Sequence, residues 1–184
     1  GTTTKAYRIG IHVADASAIV QPGTKLDEEA DQRMATLYLP ERNISMLPPV
    51  ISGNLGSLSP GEVRLAISLI ATFTTGGTLL DSKVIPSKII SVSALSYETV
   101  DAQLNDQNSL FHDDLSAMAT LAEKLRASRE STGIPNLDRD ELLIKVSDSK
   151  EISVDVIKRS NPARRMVAEY MIFYNAMLAA FCTE

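Results

Sequence analysis

VRLAISLIATFTTGGTLLDSKVIPSKIISV, Val63 to Val92, is the stretch on which the fold turns. Leu65, Ile67, Leu69, Ala71 and Phe73 alternate with Arg64, Ser68, Thr72 and Thr74, the period-two pattern of a strand with one buried face. Gly76-Gly77 supplies a tight turn, and Leu79 to Val92 returns as the antiparallel partner. Pro86 has no N–H to give a ladder, so it marks a bulge or an unpaired edge position.

Upstream, Tyr7, Ile9, Ile11 and Val13 alternate in the same way and predict another strand, with His12 on its opposite face as a structural histidine. Gln21-Pro22-Gly23 turns the chain into a helix DEEADQRMATLYL with Asp27 as N-cap and Glu28 and Glu29 in the first turn. Ala30, Met34, Leu37 and Tyr38 recur at helical spacing and predict one packed face. Pro48, Pro49, Pro60, Gly53 and Gly56 make the stretch 43–60 a turn-rich connection, and its apolar residues predict that it packs across the core.

Downstream, Ser96 to Leu104 reads as a short helix and Ser109 to Arg129 as a longer one, with Leu110, Phe111, Leu115, Met118, Leu121, Ala122 and Leu125 as its buried stripe. Leu142, Ile144 and Val146, then Ile152, Val154 and Val156, alternate across a turn at 148–150 and give a second hairpin. Asn161-Pro162 caps a last helix that is apolar around most of its circumference. Such a helix expects a full coat of protein, and with no C-cap before Glu184 the chain reads as a piece of something larger. The order of elements predicts an α+β fold, helices packed on a mixed, mostly antiparallel sheet, incomplete as a domain.

The 184 residues, 44% hydrophobic and 22% charged, suit one soluble globular unit. A net charge of −5 argues against nucleic-acid binding by bulk electrostatics and leaves room only for a local groove. One cysteine, Cys182, excludes an intrachain disulfide and fits a reducing compartment, the cytoplasm. No run approaches the roughly 20 apolar residues of a membrane span, and GTTTKAYRIG at the start has no signal or transit character.

No triad or phosphate loop can be assembled from these residues. Asp113-Asp114, beside His112, is the only adjacent aspartate pair, and it sits in a helix first turn where the dipole favours acid. Lys158, Arg159, Arg164 and Arg165 crowd the start of the last helix; pairing with Glu169 on a solvated face is the expected arrangement.

Three blocks carry a further signal: IGIHVADAS (Ile9 to Ser17), TLYLPERNISMLPP (Thr36 to Pro49) and ISGNLGSLSPGEVRLAISL (Ile51 to Leu69). With SVSALSYETVDAQL, LAEKLRASRESTGIPNLDRDE and EYMIFYNAMLAAF after them, in this order, the chain resembles the catalytic domain of the ribonuclease II / ribonuclease R family of 3′-to-5′ exoribonucleases. The resemblance covers nearly the whole chain and makes residues 1–184 the central part of that domain. It implies a hydrolytic enzyme that degrades single-stranded RNA to nucleoside monophosphates with Mg2+, whose ligands are an aspartate cluster upstream of the first block; an arginine motif lies downstream. No catalytic or metal residue is then expected within this chain, and the remaining segments of the parent protein become its partners, with no membrane involved. The alternative of another class is a catalytically inactive RNA-binding or scaffold protein of the same fold.

Residue by residue, the resemblance implies that Tyr38 stacks on a nucleotide near the 3′ end and helps fix the length of the final product. Leu137 stands where some members carry an opposing phenylalanine, so it can wall that pocket but not stack. Asp15 lies near the active centre, and Asn175 matches an asparagine of the core helix. Arg42 and Arg64 are phosphate-contact candidates through the guanidinium fork.

Overall fold

The computed structural model describes residues 6–133, 141–147, 149, 151–157 and 161–183. Leu137, Lys158 and Arg159 lie outside these residues.

Strand β1 (Ala6–Ala14), helix α1 (Lys25–Arg33), a miniature hairpin β2 (Leu37–Tyr38) and β3 (Asn43–Ile44), and strands β4 (Val63–Thr74) and β5 (Leu79–Ile90) come first. Helices α2 (Tyr97–Asn105) and α3 (His112–Ser131), hairpin β6 (Glu141–Val146) and β7 (Ile152–Ile157), and helix α4 (Pro162–Thr183) follow. The architecture is α+β with antiparallel sheets. The main sheet has the order β1-β4-β5, with Ile9 opposite Ala71 and Tyr7 opposite Phe73. Pro86 faces Ile67 in an unbroken register on the edge strand, and the one register shift lies near the turn, between Thr72 and Phe73. An edge strand tolerates the missing N–H, so no bulge is needed there.

The odd-numbered side chains of β1 and β4 face the helices. Ala71 and Phe73 form a core with Val100 of α2, Leu115, Leu121 and Ala122 of α3, and Ala163, Met166 and Tyr170 of α4. Phe73 stacks obliquely on Phe173 with ring centroids 5.3 Å apart. Each large side chain so buried contributes roughly 1.5–3 kcal/mol.

Polar contacts fix how the helices sit. Ser96 caps α2 by accepting from the Thr99 N–H. Asp101 of α2 reaches α4, its Oδ1 accepting from the Ala163 N–H at 2.9 Å and its Oδ2 from Asn161 Nδ2 at 2.8 Å. Asn161 caps the same helix by accepting from the Arg164 N–H. Glu169 departs from expectation. Its partner is Arg129 of α3, through two bonds of 2.6 and 3.1 Å, because that guanidinium reaches into the seam between α3 and α4. Arg164 instead lies over the Tyr97 ring, 4.3 Å from its centroid, and Arg165 lies 3.6 Å from Glu123.

Helix α1 also departs from its expected bounds. Thr24, not Asp27, is its N-cap, and it stops at Arg33 rather than running through Leu39. Met34 takes a left-handed φ of 60°, which ends the helix, and Leu37-Tyr38 then pair with Ile44 and Asn43. Of the expected packed face only Ala30 is buried; Met34 and Tyr38 are about four-fifths exposed. Leu110, expected in the stripe of α3, precedes the helix and is exposed. In the 43–60 connection Ile51 is buried, starting a π-helical turn Ile51–Leu55, while Val50 and Leu55 are exposed.

Helix α4, running as expected from Pro162 towards the chain end, is the one helix among the described residues long and apolar enough to cross a bilayer, where the sequence suggested no run of that kind. Its Ala163, Met166, Tyr170 and Tyr174 are buried against protein, and Tyr170 donates to the Met118 carbonyl.

Candidate nucleic-acid interface

Tyr38 stands at the tip of the β2–β3 hairpin with its ring in solvent. The hairpin is closed by the Leu39 N–H donating to the Arg42 carbonyl and braced at its base by Thr36 Oγ1, which accepts from the Met46 N–H. Arg33, the last residue of α1, donates through Nη1 to the Ser45 carbonyl at 2.7 Å. Its other edge is held by Glu29 one helical turn back, Nε and Nη2 both donating to Oε1. Between α1 and the hairpin lies a groove of about 450 Å³, lined by Glu29, Arg33, Arg42, Asn43, Met46 and Pro48 among others. Proteins that bind single strands without sequence preference combine exposed aromatic rings, which take base faces, with basic grooves, which take phosphates.

Arg64 is arranged differently. Its Nε donates to the carbonyls of Asn54 and Ser57, Nη1 to the Val63 carbonyl, and Nη2 to Asn54 Oδ1. With its side chain only 12% exposed, it fastens the turn 51–57 to the start of β4.

Asp15 and Asn175, far apart in sequence, line one cavity of about 530 Å³ between the end of β1, the middle of β4 and β5, and the last turns of α4. Its walls are apolar, Val13, Ile67, Met171 and Phe181 among them. Asp15 Oδ1 accepts from Ser17 Oγ at 2.6 Å and from the Ala18 N–H, capping the short 3-10 turn that follows the strand. Tyr174 adds a third polar group, donating to the Ile67 carbonyl. Burial, and then the Asp15 charge, push its phenol above the ordinary value.

Of the candidates expected from sequence, Arg42 lines the groove and Asp15 and Asn175 share the cavity, while Tyr38 stands exposed on the hairpin; Arg33 and Tyr174, at these same places, were not among them. Arg33 had a signal, the Glu29–Arg33 spacing of one turn directly before the hairpin. Tyr174 had only its adjacency to Asn175. No group of three or more His, Cys, Asp or Glu able to hold a metal occurs among the described residues. His112 bonds through Nδ1 to the Gln103 carbonyl and through Nε2 to Ser116, which leaves Asp113-Asp114 as ordinary first-turn acids.

The chain is similar to Ribonuclease R of Chlamydia pneumoniae, 32% identical over 174 residues, which is 94% of this chain and 26% of that protein. It thus spans about a quarter of that relative's length. Its fold matches the RNase R of Mycoplasma genitalium solved in complex with ribose-methylated single-stranded RNA, with a TM-score of 0.86 and 26% identity over 96% of this chain and 28% of that one. Yeast Ssd1, described as a pseudonuclease, shares the fold with a TM-score of 0.62 at 24% identity, over 71% of this chain and 16% of that one. The RNB domain family matches residues 1–184, and the chain belongs to that family.

Proposed function

We propose that this chain forms the RNA-holding part of a hydrolytic 3′-to-5′ exoribonuclease that degrades single-stranded RNA to nucleoside monophosphates. The observation that carries the reading is Tyr38, an aromatic ring kept in solvent on the short hairpin whose other strand and turn help line the groove that holds Arg33 and Arg42. A ring left in water forfeits its burial energy, and stacking on a base recovers roughly 1–3 kcal/mol of it. Arg42 holds a phosphate alongside. Asp15 and Asn175 offer polar edges inside an apolar cavity, a setting suited to a ribose or a base edge.

The described residues do not fit a two-metal centre. In this reading Mg2+ is held by carboxylates outside them, where it would stabilise attacking and leaving oxygens. The remaining segments of a longer parent are the protein's first partners, and the cytoplasm is its compartment, in keeping with the lone Cys182. The test is 5′-labelled oligo-A incubated with the full-length protein, with Mg2+ and with a chelator. A metal-dependent ladder shortening from the 3′ end supports the reading, and intact RNA overturns it.

A second reading, a non-catalytic RNA-binding protein, is suggested by the fold shared with a pseudonuclease. Tight binding of the same oligo-A with no cleavage in Mg2+ or Mn2+ selects it.

A further inference from the structure

The β2–β3 hairpin is two residue pairs long, too short to hold Tyr38 still by itself. It springs from a strained point. Met34, at φ 60°, is the only described non-glycine residue in the left-handed region, and it lies between the end of α1 and the hairpin. Such a junction persists when its surroundings over-determine it. Across it runs a relay of side chains: the Glu29 carboxylate orients the Arg33 guanidinium, and Arg33 Nη1 grips the Ser45 carbonyl just beyond β3. The planar fork lets one group serve both partners at once, which an ammonium cannot do.

We infer that Arg33 is a positioning residue: with Glu29 it clamps the base of the hairpin and sets where the Tyr38 ring meets the RNA. The inference rests on the stacking role proposed for Tyr38. Arg33 also lines the groove beside Arg42, so the competing role is a direct phosphate contact. The two roles make opposite demands on Glu29. A phosphate-contact arginine is weakened by a neighbouring carboxylate, and its removal strengthens RNA binding. A clamp needs the carboxylate, and its removal lets Tyr38 wander.

The experiment uses the full-length protein with 5′-labelled oligo-A, reading the limit-product ladder, kcat and KM for Tyr38→Ala, Arg33→Lys and Glu29→Gln. All three are expected to lengthen the limit product and to slow the last steps by about tenfold, the fold-change that 1.4 kcal/mol of lost stacking gives. Melting curves should stay in place, because Arg33 and Glu29 side chains are 44% and 53% exposed. If Tyr38→Ala shifts the ladder and the other two do not, the clamp is overturned and the stacking role stands. If Glu29→Gln lowers KM with an unchanged ladder, Arg33 is a phosphate contact instead. An unchanged ladder for Tyr38→Ala removes the stacking role and the clamp's purpose with it.

Discussion

His12 Nδ1 lies 2.6 Å from Ser68 Oγ, across the pair that joins β1 to β4. Ser68 Oγ is in turn 2.5 Å from Ser87 Oγ, which donates to the Ala66 carbonyl at 3.2 Å. A carbonyl only accepts, so one order gives every hydrogen an acceptor: His12 Nδ1–H to Ser68, Ser68 to Ser87, Ser87 to Ala66. The imidazole is therefore held as its Nδ1–H tautomer with Nε2 bare. Gly10 makes room for it, since a Cβ there would fall 2.6 Å from Nε2.

This arrangement has a pH signature. Burial lowers the His12 pKa below the ordinary 6.5, so near neutrality the unfolded chain binds a proton more readily than the folded one. Its contribution to stability is fully present above pH 6.5 and is lost as pH falls from there through the folded value. Melting temperatures between pH 8 and 5 should fall on the acid side, and the fall should be smaller in His12→Gln. Nitrogen-15 NMR at pH 8 should show a proton on Nδ1; a proton on Nε2 would reverse the order of the chain.

Glu169→Gln and Arg129→Ala test the seam between α3 and α4. The two side chains are 8% and 16% exposed, so truncating the arginine leaves a carboxylate among apolar neighbours, at a cost of about 3 kcal/mol. Glu169→Gln keeps the shape and loses the charge-assisted bonds, costing about 1.5–3 kcal/mol. Urea titration checks both; equal midpoints to the parent would make the pair ornamental.

Met34→Gly should stabilise the protein by about 0.5–1 kcal/mol, because relief of a left-handed β-carbon exceeds the extra backbone freedom of glycine in the unfolded chain. No packing is sacrificed, the side chain being 82% exposed. A lower melting temperature would mean that Met34 makes contacts worth more than its strain.

Leu142, Ile144, Ile152, Val154 and Val156 of the second hairpin, with Ile172 and Phe181 of α4, are each between 44% and 70% exposed. Apolar area of this kind drives association. Residues 1–184 alone should self-associate at high concentration, and Leu142→Lys with Val154→Thr should shift sedimentation toward monomer. A monomer without those changes would contradict the expectation.

Strand alternation made β1, the β4–β5 hairpin and β6–β7 legible, and the cap at Asn161 made the start of α4 legible. Helix α1 was overrun because Ala30, Met34, Leu37 and Tyr38 satisfy helical spacing by coincidence; nothing in a periodicity reports a single residue turning left-handed. Tyr38 came from block resemblance, which no local rule would have supplied. Partners such as Glu169 for Arg129, or the Asn54 and Ser57 carbonyls for Arg64, depend on which elements meet, and backbone carbonyls leave no trace in residue identity.

The cap that Asp101 lends to α4 comes from 62 residues earlier in the chain, counted to Ala163. Synthesis runs from N- to C-terminus, so α2 and α3 are complete before the first turn of α4 leaves the ribosome. The most apolar of the described helices thus emerges toward a landing site already made, with a carboxylate waiting for its amide groups. An Asp101→Ala chain should remove that guidance, and the cost should show first as lower yield during translation, ahead of any loss in the finished protein.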